Sequence, residues 1–293
     1  MIDAFVRYLK FEKRYSSHTL IAYQADLVKF HKHLLEINLK NSIEEADFRD
    51  IRSWIVSLAE EKLEPKSINR KIATLRSFFK FLLSRELILS DPTQKLKILK
   101  TKKSLPAFVA QNDILSLLDQ HPFTDDFLGL RDRLILELLY GTGIRLSELI
   151  NLQDKDYNKY EGLIKVLGKR NKERFIPVNK NLGQIIENYC CKKFEYFNRN
   201  SHGFLIVTDT EDQSYPMMIY RTVRKYLDLF TTIDKRSPHV LRHTFATHLL
   251  DKGADLNAVK DLLGHTSLAA TQVYTHNSLD KLKKVFDQAH PKA

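Results

Sequence analysis

The sequence predicts a mainly α fold in two domains, with one small antiparallel β-hairpin. Three observations carry that reading. Apolar residues recur at helical spacing along most of the 293-residue chain. Only between residues 157 and 178 does the period shorten toward two. One stretch, 91–106, follows neither period and is rich in lysine. It reads as an extended basic linker between domains at 1–90 and 107–293.

Residues 2–13 set Ile2, Phe5, Val6 and Leu9 on one helical stripe. Ser16-Ser17-His18-Thr19 interrupts it, and Ser17 is expected to cap a second helix over 18–37, with Leu20, Tyr23, Leu27, Phe30 and Leu34 on one face. A third helix covers 47–61 through Phe48, Ile51, Ile55 and Leu58. Pro65-Lys66-Ser67 opens a fourth over 66–84, with Ile68, Ile72, Leu75, Phe79 and Leu82 inward. Arg70, Lys71 and Arg76 lie on its other face. Asp91-Pro92 halts the pattern, and Lys95, Lys97, Lys100, Lys102 and Lys103 follow before Pro106.

The second domain begins with helices at 111–119 and 126–140. Gly141-Thr142-Gly143 breaks the latter, and Arg145-Leu-Ser-Glu-Leu starts another. Residues 163–167 and 174–178 are short β-type runs, separated by Gly168-Lys-Arg-Asn-Lys-Glu, which gives a hairpin with a basic tip. Helices resume over 180–197, 216–230, 239–252, 255–263, 267–274 and 278–287.

Composition narrows the function classes. The apolar fraction of 43% is ordinary for a globular protein. No run of about 18 apolar residues exists to span a membrane, and the N-terminus lacks the basic-then-apolar layout of a signal peptide. A cytoplasmic location is the expectation. The only two cysteines, Cys190 and Cys191, are adjacent and offer neither a disulfide framework nor metal-ligand spacing. They read as a partly buried pair on a helix. The net charge of +11 favours a polyanion, of which nucleic acid is the commonest. The charge is concentrated: Glu60–Leu105 holds twelve Lys/Arg against five Asp/Glu.

The stretch Ser237–Tyr274 carries His239, Arg242, His265 and Tyr274 in order. Such a set suits an enzyme that grips a phosphate and attacks it with tyrosine, and Arg145 and Lys169 would complete the grip. His239 and Arg242 share a helix face and are expected in the first turn of a helix opened by Ser237-Pro238, where free amides also favour anions. His239 could equally cap its helix while Arg242 pairs with a carboxylate. His265 follows Gly264, a residue suited to the left-handed position after a last turn, and could simply bond exposed carbonyls. Arg145 could pair with Glu148 three residues on. Lys169 could be a solvated tip lysine, with Arg170 and Lys172 as rivals. A phenol is a poor nucleophile unless a base or cations assist it, so position alone singles out Tyr274 among twelve tyrosines.

Taken together, these segments resemble the tyrosine recombinase (phage integrase) family, in its bacterial XerC/XerD type. The matching runs are Gly-Thr-Gly-Ile-Arg145-Leu-Ser-Glu-Leu, Leu-Gly-Lys169-Arg-Asn-Lys-Glu-Arg-Phe-Ile-Pro, Ser-Pro-His239-Val-Leu-Arg242-His-Thr-Phe-Ala-Thr-His, and Leu-Leu-Gly-His265-Thr-Ser-Leu-Ala-Ala-Thr-Gln-Val-Tyr274-Thr-His. Arg170 stands where relatives of this type often carry glycine. The resemblance implies a SAM-like N-terminal helical bundle and an α/β catalytic domain closing as a C-shaped clamp around duplex DNA. It also implies a site-specific recombinase working through a 3′-phosphotyrosyl link and a Holliday junction. Arg145 and Arg242 would hold the nonbridging oxygens and Lys169 would protonate the leaving oxygen. His239 would take the tyrosine proton or bond the phosphate, and His265 would add a further hydrogen bond. No metal or other cofactor is implied.

Arg70, Lys71 and Arg76 would then enter a major groove, while Lys100, Lys102, Lys103, Arg170 and Lys172 would meet the backbone. The final helix would dock on a neighbouring subunit, giving a tetramer on two DNA sites, with itself or with a similar recombinase. A cell-division DNA translocase is a further implied partner. The implied role is resolution of chromosome or plasmid dimers, the alternative being phage or mobile-element integration and excision. Readings from other classes are a DNA binder without catalysis, a type IB topoisomerase, and a metal-dependent nuclease using His239, His243 and His248. In the last, His248 falls on roughly the opposite helix face from His239, and no acidic cluster accompanies them.

Overall fold

The computed structural model describes residues 1–37, 40–101, 107–168, 173–198, 203–264, 286, 288–290 and 292. The chain divides into two compact units, Met1–Ser104 and Leu105–Ala293. Among the described residues the architecture is mainly helical with one small antiparallel sheet. No helix among them is long and apolar enough to cross a membrane.

The first unit is a four-helix bundle: α1 (Ile2–Phe11), α2 (Ser17–Glu36), α3 (Phe48–Glu60) and α4 (Pro65–Ser84). Ser16, not Ser17, is the N-cap of α2: its hydroxyl accepts the Thr19 amide at 3.4 Å. Asp47 and Asp50 form a reciprocal capping box at α3, so two otherwise orphaned donors are satisfied. Pro65 occupies the first position of α4, where its missing N–H costs nothing. The core closes around Phe5, Phe30, Trp54, Phe78 and Phe79. Asp26 on α2 is buried there, because α4 satisfies it: Arg70 forks onto it at 2.6 and 2.9 Å, Lys71 reaches it at 2.6 Å and Thr74 at 3.0 Å. The described part of the basic stretch after the bundle, at Leu96 and Leu99, also lies on α4. Asn69 brackets the backbone of Leu99 (2.9 and 2.8 Å), and Arg76 donates to the Leu96 carbonyl at 2.6 Å.

The second unit is built around α6 (Phe127–Thr142), whose residues are buried nearly all round because α8 (Lys180–Phe197), α9 (Pro216–Phe230) and α10 (Pro238–Asp251) pack on it. Ahead of it, α5 (Gln111–Leu115) continues as a π-helical turn, Ser116–Gln120. The helix α6 runs through Gly141 and Thr142 and ends only at Gly143, which is left-handed at φ +60°. Short α7 (Leu146–Ile150) follows, and α11 (Leu256–Leu263) comes after α10.

The sheet has three strands, β1 (Tyr157–Asn158), β2 (Leu163–Leu167) and β3 (Glu173–Pro177), in that spatial order. Its two-residue first strand adds to the expected hairpin. Across β2 and β3 the register pairs Val166 with Arg174 and Ile164 with Ile176. Near the C-terminus, Phe286, Ala289 and His290 are buried in this unit, and the His290 ring meets the Gly141 carbonyl at 2.9 Å. Residues 267–274 and most of 278–287, both expected helical, lie outside the described residues. Cys190 is partly buried on α8, its thiol pushed up to about 11 by burial, and Cys191 is exposed.

Candidate functional site

The turn between α6 and α7 is built on Gly143. Thr142 ties it by donating to the Leu138 carbonyl at 2.5 Å and accepting the Ile144 amide at 3.2 Å. A Cβ on Gly143 would come within 2.5 Å of the Phe245 ring and 2.9 Å of Leu263. Only glycine lets the end of α6 approach α10 and α11 this closely, quite apart from its left-handed φ. The approach puts the Gly143 carbonyl in hydrogen-bond contact with Arg242 Nη1.

Arg242 therefore faces inward. It lies in the second turn of α10, not the first, and is buried, while His239 in the first turn is exposed. Its second amine, Nη2, donates to the Leu263 carbonyl at 2.6 Å. Loss of hydration, and then the positive charges of Arg145 and Arg174, lower the Arg242 guanidinium to about 10. It remains cationic at neutral pH.

Arg145, immediately before α7, donates Nη2 to the Gly264 carbonyl at 2.7 Å and Nη1 to Glu148 Oε1 at 2.8 Å. The pairing with Glu148 is thus real, and it is not the end of the matter. Arg174, on the inward face of β3, forks onto the same carboxylate at 2.6 and 2.9 Å. Its Nε donates to the Leu262 carbonyl at 3.0 Å. Burial raises the Glu148 carboxyl, but the bonds from Arg174 and Arg145 outweigh it and hold it below the usual range.

Three guanidiniums thus meet three successive carbonyls, Leu262, Leu263 and Gly264, at the C-terminal end of α11. The end of a helix leaves its last four carbonyls unpaired and partially negative. Here the Gly264 amide takes Lys260 and Asp261, and Arg174 and Arg242 take the other two. That negative pole, with Glu148, is what lets like charges sit together. Gly264 is left-handed (φ +62°), and a Cβ on it would lie 3.0 Å from Arg174 Cδ. The chain passes directly from this turn into His265.

Of the predicted site residues, then, the structure brings Arg145 and Arg242 together at one helix end, with His239 on the same helix as Arg242. Lys169, His265 and Tyr274 lie outside the described residues, as do Lys102, Lys103, Arg170 and Lys172. In the first unit Arg70, though half-exposed, forks onto Asp26, and Lys71 and Arg76 likewise direct their donors inward, to Asp26 and to Leu96; Lys100 is exposed. His248 is buried, its Nδ1 3.0 Å from the Tyr140 hydroxyl, on the core side of α10. Among the described residues no cluster of His, Cys, Asp or Glu is arranged to hold a metal ion.

Sequence reasoning missed Arg174 and gave Glu148 only as an alternative partner for Arg145. The available signal was alternation: Arg174 shares the inward face of its strand with Ile176, an unusual place for a cation without a buried partner.

With the geometry in view, comparison with known proteins is informative. Residues 107–280 match the Phage integrase family, and residues 2–86 match the Phage integrase N-terminal SAM-like domain. The chain is 39% identical over 291 residues to Tyrosine recombinase XerC of Staphylococcus aureus (strain USA300 / TCH1516), covering 99% of this chain and 96% of that protein. It is 39% identical over 289 residues to Tyrosine recombinase XerC of Staphylococcus haemolyticus (strain JCSC1435), with the same coverage. Among solved structures, XerH site-specific recombinase bound to palindromic difH substrate superimposes with a TM-score of 0.72 at 20% identity, covering 97% of this chain and 83% of that one. The Tn1549 transposon integrase in complex with transposon right end DNA gives 0.69 at 19% identity, covering 97% and 98%. Both agree on the fold.

Proposed function

As a member of the phage integrase family this chain is a tyrosine recombinase, a DNA breaking–rejoining enzyme, and we propose that Tyr274 is its nucleophile. Tyr274 Oη attacks a backbone phosphorus, and the 5′-oxygen leaves. The product is a 3′-phosphotyrosyl link and a free 5′-hydroxyl. The link keeps the energy of the ester, so a 5′-hydroxyl from a partner strand reverses the step without ATP. Two such exchanges pass through a Holliday junction.

Charge grows on the two nonbridging oxygens as the phosphorus becomes pentacoordinate. Arg145 and Arg242 neutralise it through forked donors, a geometry suited to planar guanidinium. Lys169 supplies the proton that the leaving 5′-oxygen needs. His239 receives the tyrosine proton or bonds a phosphate oxygen, and His265 adds one more donor. Two guanidiniums do here what a metal ion does in other phosphoryl-transfer sites.

The observation that carries this reading is the shared anchoring of Arg145 and Arg242 on the carbonyls of Gly264 and Leu263, directly before His265 and nearby Tyr274 in the chain. Duplex DNA carrying a recombination site is the substrate. Both units contribute to binding, the first through Arg70 and its neighbours and the basic stretch up to Lys103. Four subunits act on two sites, together with copies of this chain or with a similar recombinase, and a cell-division DNA translocase is the partner that fits this role. Dimer resolution on the chromosome or a plasmid, in the cytoplasm, is the biological function most in keeping with the XerC relatives. A nicked duplex that loses its short 5′-terminal fragment traps the covalent complex. The intact protein should form it, and Tyr274→Phe should not; an adduct persisting in that variant would refute the assignment.

A further inference from the structure

We propose that Arg174 is a positioning residue for strand cleavage, setting the Arg145 guanidinium through Glu148 and tying the β2–β3 hairpin to the end of α11. The inference rests on the reading of Arg145 as a phosphate-binding group. It concerns a residue that makes no contact with DNA in that reading.

The carboxylate of Glu148 has room for about four hydrogen bonds, two to each oxygen. All four are made, and two arginines make them. Oε1 accepts Arg145 Nη1 at 2.8 Å and Arg174 Nη1 at 2.6 Å. Oε2 accepts the Arg145 backbone amide at 2.9 Å and Arg174 Nη2 at 2.9 Å. Glu148 alone has rotational freedom to present its carboxylate in several ways. The Arg174 fork removes that freedom, so the plane of the carboxylate, and with it the Arg145 Nη1 donor, is fixed from below.

The third donor of Arg174 is spent on the chain that follows α11. Its Nε holds the Leu262 carbonyl at 3.0 Å, and its stem lies against Gly264, whose own carbonyl takes Arg145 Nη2 at 2.7 Å. One end of the Arg145 guanidinium therefore rests on a carboxylate that Arg174 holds, and the other on the carbonyl of a glycine against which the Arg174 stem lies, two residues after the Leu262 carbonyl that Arg174 binds. Arg174 is in turn fixed by its strand, opposite Val166, in a hairpin whose two strands flank Lys169 in the sequence. One side chain thus joins the elements bearing the proposed general acid, one phosphate-binding arginine and the turn into His265. The side chain of Arg174 is only 5% exposed, which leaves it no role at the DNA surface.

A lysine in this place could meet one carboxylate oxygen but could not fork and reach Leu262 as well. A methionine would fill the volume and make none of the bonds. The experiment is single-turnover adduct formation by full-length Arg174→Lys and Arg174→Met at saturating DNA. The DNA is a nicked duplex carrying the site recovered from the covalent complex of the unsubstituted protein, and its affinity is measured in parallel. Misplacing a reacting group by about 1 Å can cost about 100-fold in rate. We expect a loss of that size for Arg174→Met and a smaller one, about 10-fold, for Arg174→Lys, which keeps one ion pair. DNA affinity should stay within about threefold in both, since the phosphate contacts that dominate it are untouched. Rates within threefold of the unsubstituted protein, or an affinity loss large enough to account for the slower rate, overturn the proposal. If Arg174→Met does not fold, Arg174→Lys carries the test alone. An unsubstituted protein that forms no adduct would instead overturn the function proposed above, so the two failures are distinct.

Discussion

Arg242 shows how far a single side chain can be prepared in advance. Its two amines rest on Gly143 and Leu263, and burial has already removed much of its water. A phosphate meeting it finds a donor that needs little reorganisation, the condition under which electrostatic stabilisation of a transition state is largest. Arg242→Lys keeps the charge but loses the fork and one of the carbonyl anchors. Strand cleavage should slow by about 100- to 1,000-fold, the usual cost of one preorganised donor, measured as adduct formation at saturating DNA. Gly264→Ala tests the turn itself. Its φ of +62° and the 3.0 Å approach to Arg174 both oppose a side chain. The variant should unfold at lower urea, by about 1–2 kcal/mol for a non-glycine residue held left-handed. Arg145 and Arg242 could be picked out from residue type, order and spacing. Arg174 could not be tied to its role in the same way, because its other partner is the carbonyl of Leu262, 88 residues along the chain. A backbone acceptor carries no side-chain signature, so no motif announces it.

At the scale of elements, the instructive joint is α2 against α4. Asp26 is 2% exposed and is held by Arg70, Lys71 and Thr74. Removing one partner of a buried pair costs about 3–5 kcal/mol, because the remaining charges lose their compensation. Asp26→Ala should therefore move unfolding of the first unit to lower urea, followed through the fluorescence of Trp54, the chain's one tryptophan, which lies in that unit. A single unshifted transition would show that Asp26 does not hold the bundle. Lys71, read from the sequence as part of a solvent-facing stripe, is turned inward by this carboxylate, which lies 45 residues away. The helices were legible from apolar spacing, yet their ends were not always so. Gly141 and Thr142 looked like a break, but α6 continues through them. Burial of this end of α6 among the helices around it sustains the helix despite the ~1 kcal/mol that glycine costs it. The strand β1 has two residues and so too few positions to show any period.

Across the whole molecule, charge and burial make two demands that solution measurements can check. A basic chain that neutralises about eight phosphates should lose DNA affinity with a slope near −7 in log K against log salt, and a nearly flat response would contradict such a footprint. Acid should weaken the fold through His290. Burial lowers its imidazole to about 4, against 6.5 for the ordinary group. The unfolded chain thus takes up the proton first as pH falls. The stability this group allows is complete above about 6.5, and is lost progressively as pH drops toward about 4, by roughly 3 kcal/mol in all. His290→Gln should flatten urea midpoints over that window.

The central claim, that Tyr274 cuts DNA and holds its 3′ end, is open to one direct measurement. Protein trapped on nicked DNA is digested with trypsin and nuclease, and the peptide bearing the nucleotide is sequenced by mass spectrometry. The account predicts a phosphodiester from Tyr274 to a 3′ end, with a free 5′-hydroxyl on the released strand. Attachment at another residue, or to a 5′ end, would contradict it.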